Sequence, residues 1–245
     1  MTATDVLCRH FSRMGARLKL QGPARWQKEK IRIDVGQDRK GEFFDVCCQD
    51  GCVPEILDVQ PESRHLVLMV REGRAKNKFL LGHDERHWFA AAVPDRQVRD
   101  VQTAKASLRP AEARTRGVVR QGEWFFVPAP EVASDGVIHR NEPLSRGGGS
   151  KPHVCQESMR HGGEAVMVSV FYPSGIGIED YNRLIQARPA TRHNSWRAMT
   201  RDAMVYARGK VRHPDHLTVH LDIWHRVYMN RERFAPHARQ IAFLD

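Results

Sequence analysis

Along most of the chain the apolar positions alternate or run in short blocks instead of recurring at helical spacing. Between residues 14 and 93, blocks of this kind predict strands at 16–20, 31–35, 42–47, 55–59, 65–71, 77–82 and 88–93. The breaks between them, QGPAR, GQDRKG, QDGCVP, QPES and REGRAK, are rich in Gly, Pro and polar residues, which suit turns. Short strands at this regular spacing predict a small antiparallel barrel or sandwich.

Strand character stops at residues 95–116. There Val98, Val101, Lys105 and Leu108 fall at roughly helical spacing, and Pro110 ends or restarts the helix. Several arginines and few large apolar groups predict an exposed helix and linker. A strand follows at 118–127, then a long loop, an apolar strand at 164–172 and a helix at 178–187, where Ile178, Tyr181, Leu184 and Ile185 share one face and Pro189 is the stop. Residues 217–224 alternate strictly. This places Thr218, His220, Asp222 and Trp224 on one face and Val219, Leu221, Ile223 and His225 on the other, with the apolar face inward. A last strand is expected at 241–244. The expected fold is therefore α+β and β-rich: two small mixed or antiparallel sheet domains, barrel- or sandwich-like, with few helices. The first spans 1–94, a helix and linker 95–116, and the second 117–245.

Composition narrows the function classes. The chain has 245 residues, is 41% apolar and carries a net charge of +10 spread over both halves. A basic balance of this kind suits a polyanionic partner, nucleic acid above all. No apolar run is long enough to span a membrane and the N-terminal residues lack the apolar core of a secretory signal, so a cytoplasmic protein is expected. Five cysteines in no regular frame argue against a disulfide scaffold. Cys47, Cys48 and Cys52 could offer three thiolates to zinc with His65 as a remote fourth ligand, but the second paired motif is missing and reduced strand-end cysteines are the simpler reading.

Histidine is the residue that stands out. HPDH at 213–216 holds two imidazoles at a tight corner, and His139 and His153 lie on loops or strand ends upstream. Three imidazoles from separate segments with an open fourth position are what a catalytic zinc or other divalent transition metal needs, and His153, His213 and His216 are the expected ligands. Asp215 or Asp222 would orient an imidazole or act as a base, which makes them the candidate catalytic carboxylates. A second His/acid group, His83, Asp84, Glu85 and His87, reads as a polar hairpin tip or as a metal site. The GGGS run at 147–150 reads as a loop, since no GxxxxGK[ST] pattern surrounds it. Neighbouring His153 and Cys155 are not a nucleophile–base pair, and no serine sits in a GxSxG context.

From residue 118 onward the order VRQGEWFFVP, a loop with His153, then VRHPDHLTVHLDIWHRVYMN resembles a small uncharacterised β-rich domain of bacterial and phage proteins. Its pattern is an RQGD-type strand, a GHAH-type loop and an HxxH corner. Arg120, Gln121 and Gly122 match the first element and His213 and His216 the last. The middle element departs, with SKPHV keeping one histidine, His153. The resemblance implies a shared fold and a shared site but no activity.

Two functions from different classes follow. One is a metal-dependent hydrolase, with a phosphodiester as substrate, built on the histidines. The other is a non-catalytic nucleic-acid-binding or interaction module, in which Lys210, Arg212, Arg208 and Arg197 hold phosphates and Trp196 stacks on bases, with Tyr206, Trp224 and Arg226 continuing the interleaved pattern.

Overall fold

The structure, a computed structural model, describes residues 3–22, 31–48, 51–133, 136–145 and 151–231. The expected GGGS loop and the strand at 241–244 lie outside the described residues. Among the described residues two compact units are present, one drawn from 3–114, 215–217 and 229–231, the other from 115–214 and 218–228.

The first unit opens with a helix, α1 (Ala3–Arg13), that the strand pattern did not predict. Leu7, Phe11 and Met14 recur at helical spacing and are all buried. Three strands follow, β1 (Leu18–Gln21), β2 (Ile31–Asp38) and β3 (Gly41–Cys48), with β3 central, parallel to β1 and antiparallel to β2. Next comes an antiparallel meander in sequence order: β4 (Cys52–Gln60), β5 (His65–Glu72), β6 (Ala75–Asp84) and β7 (His87–Ala92). Phe44 on β3 is fully buried and meets Phe11 and Trp88 edge-on, with ring centroids 5.5 and 5.4 Å apart.

The unbroken apolar run of β5 has a simple cause: both of its faces are covered. Successive side chains point to opposite sides of a strand, so Leu66, Leu68 and Val70 join the core around Phe44, while Val67 joins a second core with Leu80, Ala91, Val98, Val101, Ala104 and Leu108. The last three belong to α2 (Val101–Leu108), which corrects the expectation of an exposed helix and linker at 95–116. Asp100 and Thr103 cap α2 reciprocally, Thr103 N donating to Asp100 Oδ1 at 2.7 Å and Asp100 N to Thr103 Oγ1 at 3.3 Å. Lys78 secures the approach to this helix by donating from its buried ammonium to the carbonyls of Arg96 and Val98, and desolvation lowers its pKa.

The second unit is built on a six-stranded sheet. Its strands are β8 (Val119–Gln121), β9 (Trp124–Pro128), β10 (Ile138–Leu144), β11 (His153–His161), β15 (Met204–Arg212) and β16 (Val219–Met229), in the order β10-β11-β15-β16-β9-β8. A three-stranded sheet, order β13-β12-β14, comes from β12 (Glu164–Ser169), β13 (Tyr172–Gly177) and β14 (Arg197–Arg201), with α3 (Ile178–Ala187) and a 3-10 turn (Pro189–His193) between the last two. The expected helix at 178–187 is α3. The expected strand at 118–127 is instead a hairpin, broken where Gly122 adopts φ +57°. Likewise the expected strand at 164–172 turns at Val170, and the segments read as loop or basic stretch hold β10, β11, β14 and β15. The fold is β-rich α+β with several small sheets and no closed barrel among the described residues. None of its described helices is long and apolar enough to cross a membrane.

β16 corrects the strict alternation expected at 217–224. Ala207 pairs with His225 but Gly209 pairs with Leu221, so Asp222, Ile223 and Trp224 together oppose Arg208 in a bulge. The bulge shifts the phase of the strand: Leu221 is buried, Ile223 is 42% exposed, and Trp224 and His225 both turn inward. Arg208 lies over the Trp224 ring at 4.6 Å. Across from the bulge Gly209 takes φ +80°, and a Cβ there would stand 2.7 Å from Gln156 Oε1. Gly209→Ala should therefore lower stability by about 1–2 kcal/mol, a cost set by the left-handed backbone alone and raised by the contact, as read from urea denaturation. An unchanged denaturation midpoint would mean the bulge relaxes freely.

Candidate metal centre

Strand register brings the histidines together. Leu144 on β10 pairs with His153, the first residue of β11, and Val154 pairs with Arg212, the last residue of β15. The next pair along this ladder would be His153 with His213, and their rings do stack, with centroids 4.1 Å apart and planes inclined by 24°. The His153 ring also meets Trp124 on β9 edge-on at 6.4 Å. His153 is buried; His213 is half-buried, with Nε2 3.3 Å from the Lys151 carbonyl oxygen.

His216 stands three residues further along the turn from β15 to β16. Pro214 fixes φ within that turn and commits the chain to a sharp corner. One nitrogen from each of His153, His213 and His216 can be chosen so that all lie within 4.8 Å of one another. These three side chains could hold a metal ion, and no other such group of histidine, cysteine or carboxylate side chains occurs among the described residues. Gln121 braces the same region: its buried amide donates to the Val211 carbonyl at 3.2 Å, two residues before His213. Residue patterning gave Gln121 no role; its neighbourhood in the RQG motif was the available signal.

The other expected site residues have partners of their own. Asp222 accepts from His220 Nδ1 at 2.8 Å, with its side chain 89% exposed. Asp215 has its carboxylate 3.6 Å from His87 Nε2, whose Nδ1 is 2.6 Å from Glu42 Oε1. His139 lies on β10, paired with Ser158. The segment 83–87 is a hairpin tip: Asp84 pairs with His87 across Glu85 and Arg86, and His83 packs edge-on against Trp88 at 4.9 Å.

Among the basic and aromatic candidates, Arg208 is held by Glu157 at 2.7 Å, and Arg212 donates to Asn141 Oδ1 at 2.8 Å. Lys210 is exposed. Tyr206 and Trp224 are buried in a common core with Met159 and Ala129, which removes them from any base-stacking surface. Arg226 lies over the Tyr228 ring at 4.9 Å. Trp196 stacks on Tyr172 at 5.2 Å, and Arg197 beside it is exposed.

The cysteines are strand residues. Cys47 is buried on β3 and donates to the Gly22 carbonyl at 3.3 Å, Cys48 ends β3 and Cys52 starts β4. No metal-binding group includes them among the described residues, so the alternative of a zinc site there finds no support. Burial and the neighbouring thiols Cys52 and Cys47 push Cys48 up to about 11. Burial, with Glu142 nearby, pushes Cys155 up to about 12.

No family model, curated protein or solved structure matches the chain.

Because alkylation needs the thiolate, the two raised thiols should be slow to react with iodoacetamide near neutral pH in the folded protein, and exposed Cys8 fast. Mass spectrometry of the digested protein would show this order. Equal labelling of Cys155 and Cys8 would contradict the burial described for β11.

Proposed function

We propose that the protein is a metal-dependent hydrolase in which His153, His213 and His216 hold one divalent transition metal, zinc or a near relative, and that its substrate is a phosphodiester. The observation that carries this reading is the convergence of three imidazole nitrogens within 4.8 Å. Nitrogens around a tetrahedral zinc ion stand roughly 3.3 Å apart, so small ring rotations would close the group onto an ion. Three protein ligands leave a fourth position for water. The ion would lower the pKa of that water and polarise the scissile phosphate. The phosphodiester is supported by the net charge of +10, which favours a polyanionic substrate.

Elemental analysis of protein purified without a polyhistidine tag should find about one equivalent of a transition metal, and His213→Ala should remove most of it. Hydrolysis of a generic phosphodiester such as bis(p-nitrophenyl) phosphate should fall with the metal. Ligation needs neutral imidazoles, so metal affinity should drop at acid pH, where protons compete for the same nitrogens. Wild-type protein with less than about a tenth of an equivalent after incubation with zinc would reject the reading.

A further inference from the structure

The hairpin joining β12 to β13 is chemically out of place. Ser169 pairs with Tyr172, leaving a two-residue tip made of Val170 and Phe171. Such tips favour Gly, Asn and Asp, which tolerate the tight backbone and are well solvated. Here the two residues are instead a β-branched and an aromatic side chain, 86% and 72% exposed. Neither serves the core, and the turn does not call for them.

The surroundings say what they would meet. Tyr172, next along the chain, stacks on Trp196 with ring centroids 5.2 Å apart, and Tyr181 of α3 meets the same indole edge-on at 5.1 Å. Trp196 is pinned by its own Nε1, which donates to the Thr191 carbonyl at 2.8 Å. Phe171 thus adjoins in sequence the aromatic cluster of Tyr172, Trp196 and Tyr181. Residues 164–202 carry five arginines and four carboxylates, of which Glu179 is exposed and forms no ion pair among the described residues. Arg183 and Arg201 are taken by Asp180 and Glu164, whereas Arg188, Arg192 and Arg197 are exposed and form no ion pair among the described residues.

We infer that the part of the second unit formed by β12, β13, β14 and the 3-10 turn is a binding surface for single-stranded nucleic acid. Phe171 stacks on an unpaired base, and Arg188, Arg192 and Arg197 neutralise phosphates. Exposed aromatic and cationic side chains together are what this ligand uses, because every base has a π-face and every linkage a charge. A duplex keeps its base faces inside the stack and offers Phe171 nothing. The inference does not depend on the metal, though a single-stranded substrate would suit the hydrolase reading.

The test is fluorescence anisotropy of the full chain with labelled oligouridylate and oligothymidylate of about 16 nucleotides, in excess EDTA so that the metal reading stands or falls separately. Phe171→Ser should weaken binding at least about fivefold without changing its salt dependence. Arg188→Gln, Arg192→Gln and Arg197→Gln together should flatten the log–log salt slope by about 2. Val53→Ser, which alters an exposed apolar residue of β4, should change nothing. The inference is overturned if Phe171→Ser binds like the wild type, or if a duplex of equal length binds as tightly. It is equally overturned if Phe171 matters only for partition into phosphatidylserine vesicles while oligonucleotides are not bound.

Discussion

The candidate metal centre depends on the register of β11 against β15. Val154 opposite Arg212 is the pairing that sets His153 beside His213. A slip of one residue would send the His153 side chain to the other face of the sheet. That register is held by more than backbone hydrogen bonds. Cys155 and Val211, the next pair along, are both fully buried, and Gln121 reaches across to the carbonyl of Val211. Apolar burial thus fixes the strand, and the strand fixes the imidazoles.

The strands of the first unit were legible because their periodicity and their turn residues agree. All seven expected there are present, and β5 reads as an apolar run because cores lie on both of its faces. What escaped was the choice of partner for weakly apolar segments. In α2 only Val101, Ala104 and Leu108 face inward, and alanine contributes little to a hydrophobic pattern although its burial here is complete. In the second unit, β10 and β11 carry so many polar residues that alternation is hidden. Ser158 and Glu142 bond to each other across that pair, and Arg160 closes on Glu142 at 2.7 Å, so polar side chains are satisfied within the sheet.

The histidines were visible as a group, since an HPDH corner with an upstream imidazole is compositionally unusual, and the structure does gather His153, His213 and His216. Of the carboxylates near the imidazoles in sequence, Asp215 has an oxygen 3.6 Å from His87 Nε2 and Asp222 pairs with His220 in solvent. Which imidazole a carboxylate meets depends on a turn followed by a strand, where direction reverses and faces alternate. The bulge in β16 adds a second obstacle: a pattern read as uninterrupted alternation has no means of marking where three residues face one, and it is this change of phase that buries Trp224.

Cys155 stands two residues along β11 from His153, and burial keeps it protonated far above neutral pH. A centre assembled from imidazoles alone, with that sulfur locked in its neutral form, has no ligand that peroxide or glutathione could convert. Its occupancy would follow the supply of metal and of protons, and would be blind to the oxidation state of its surroundings.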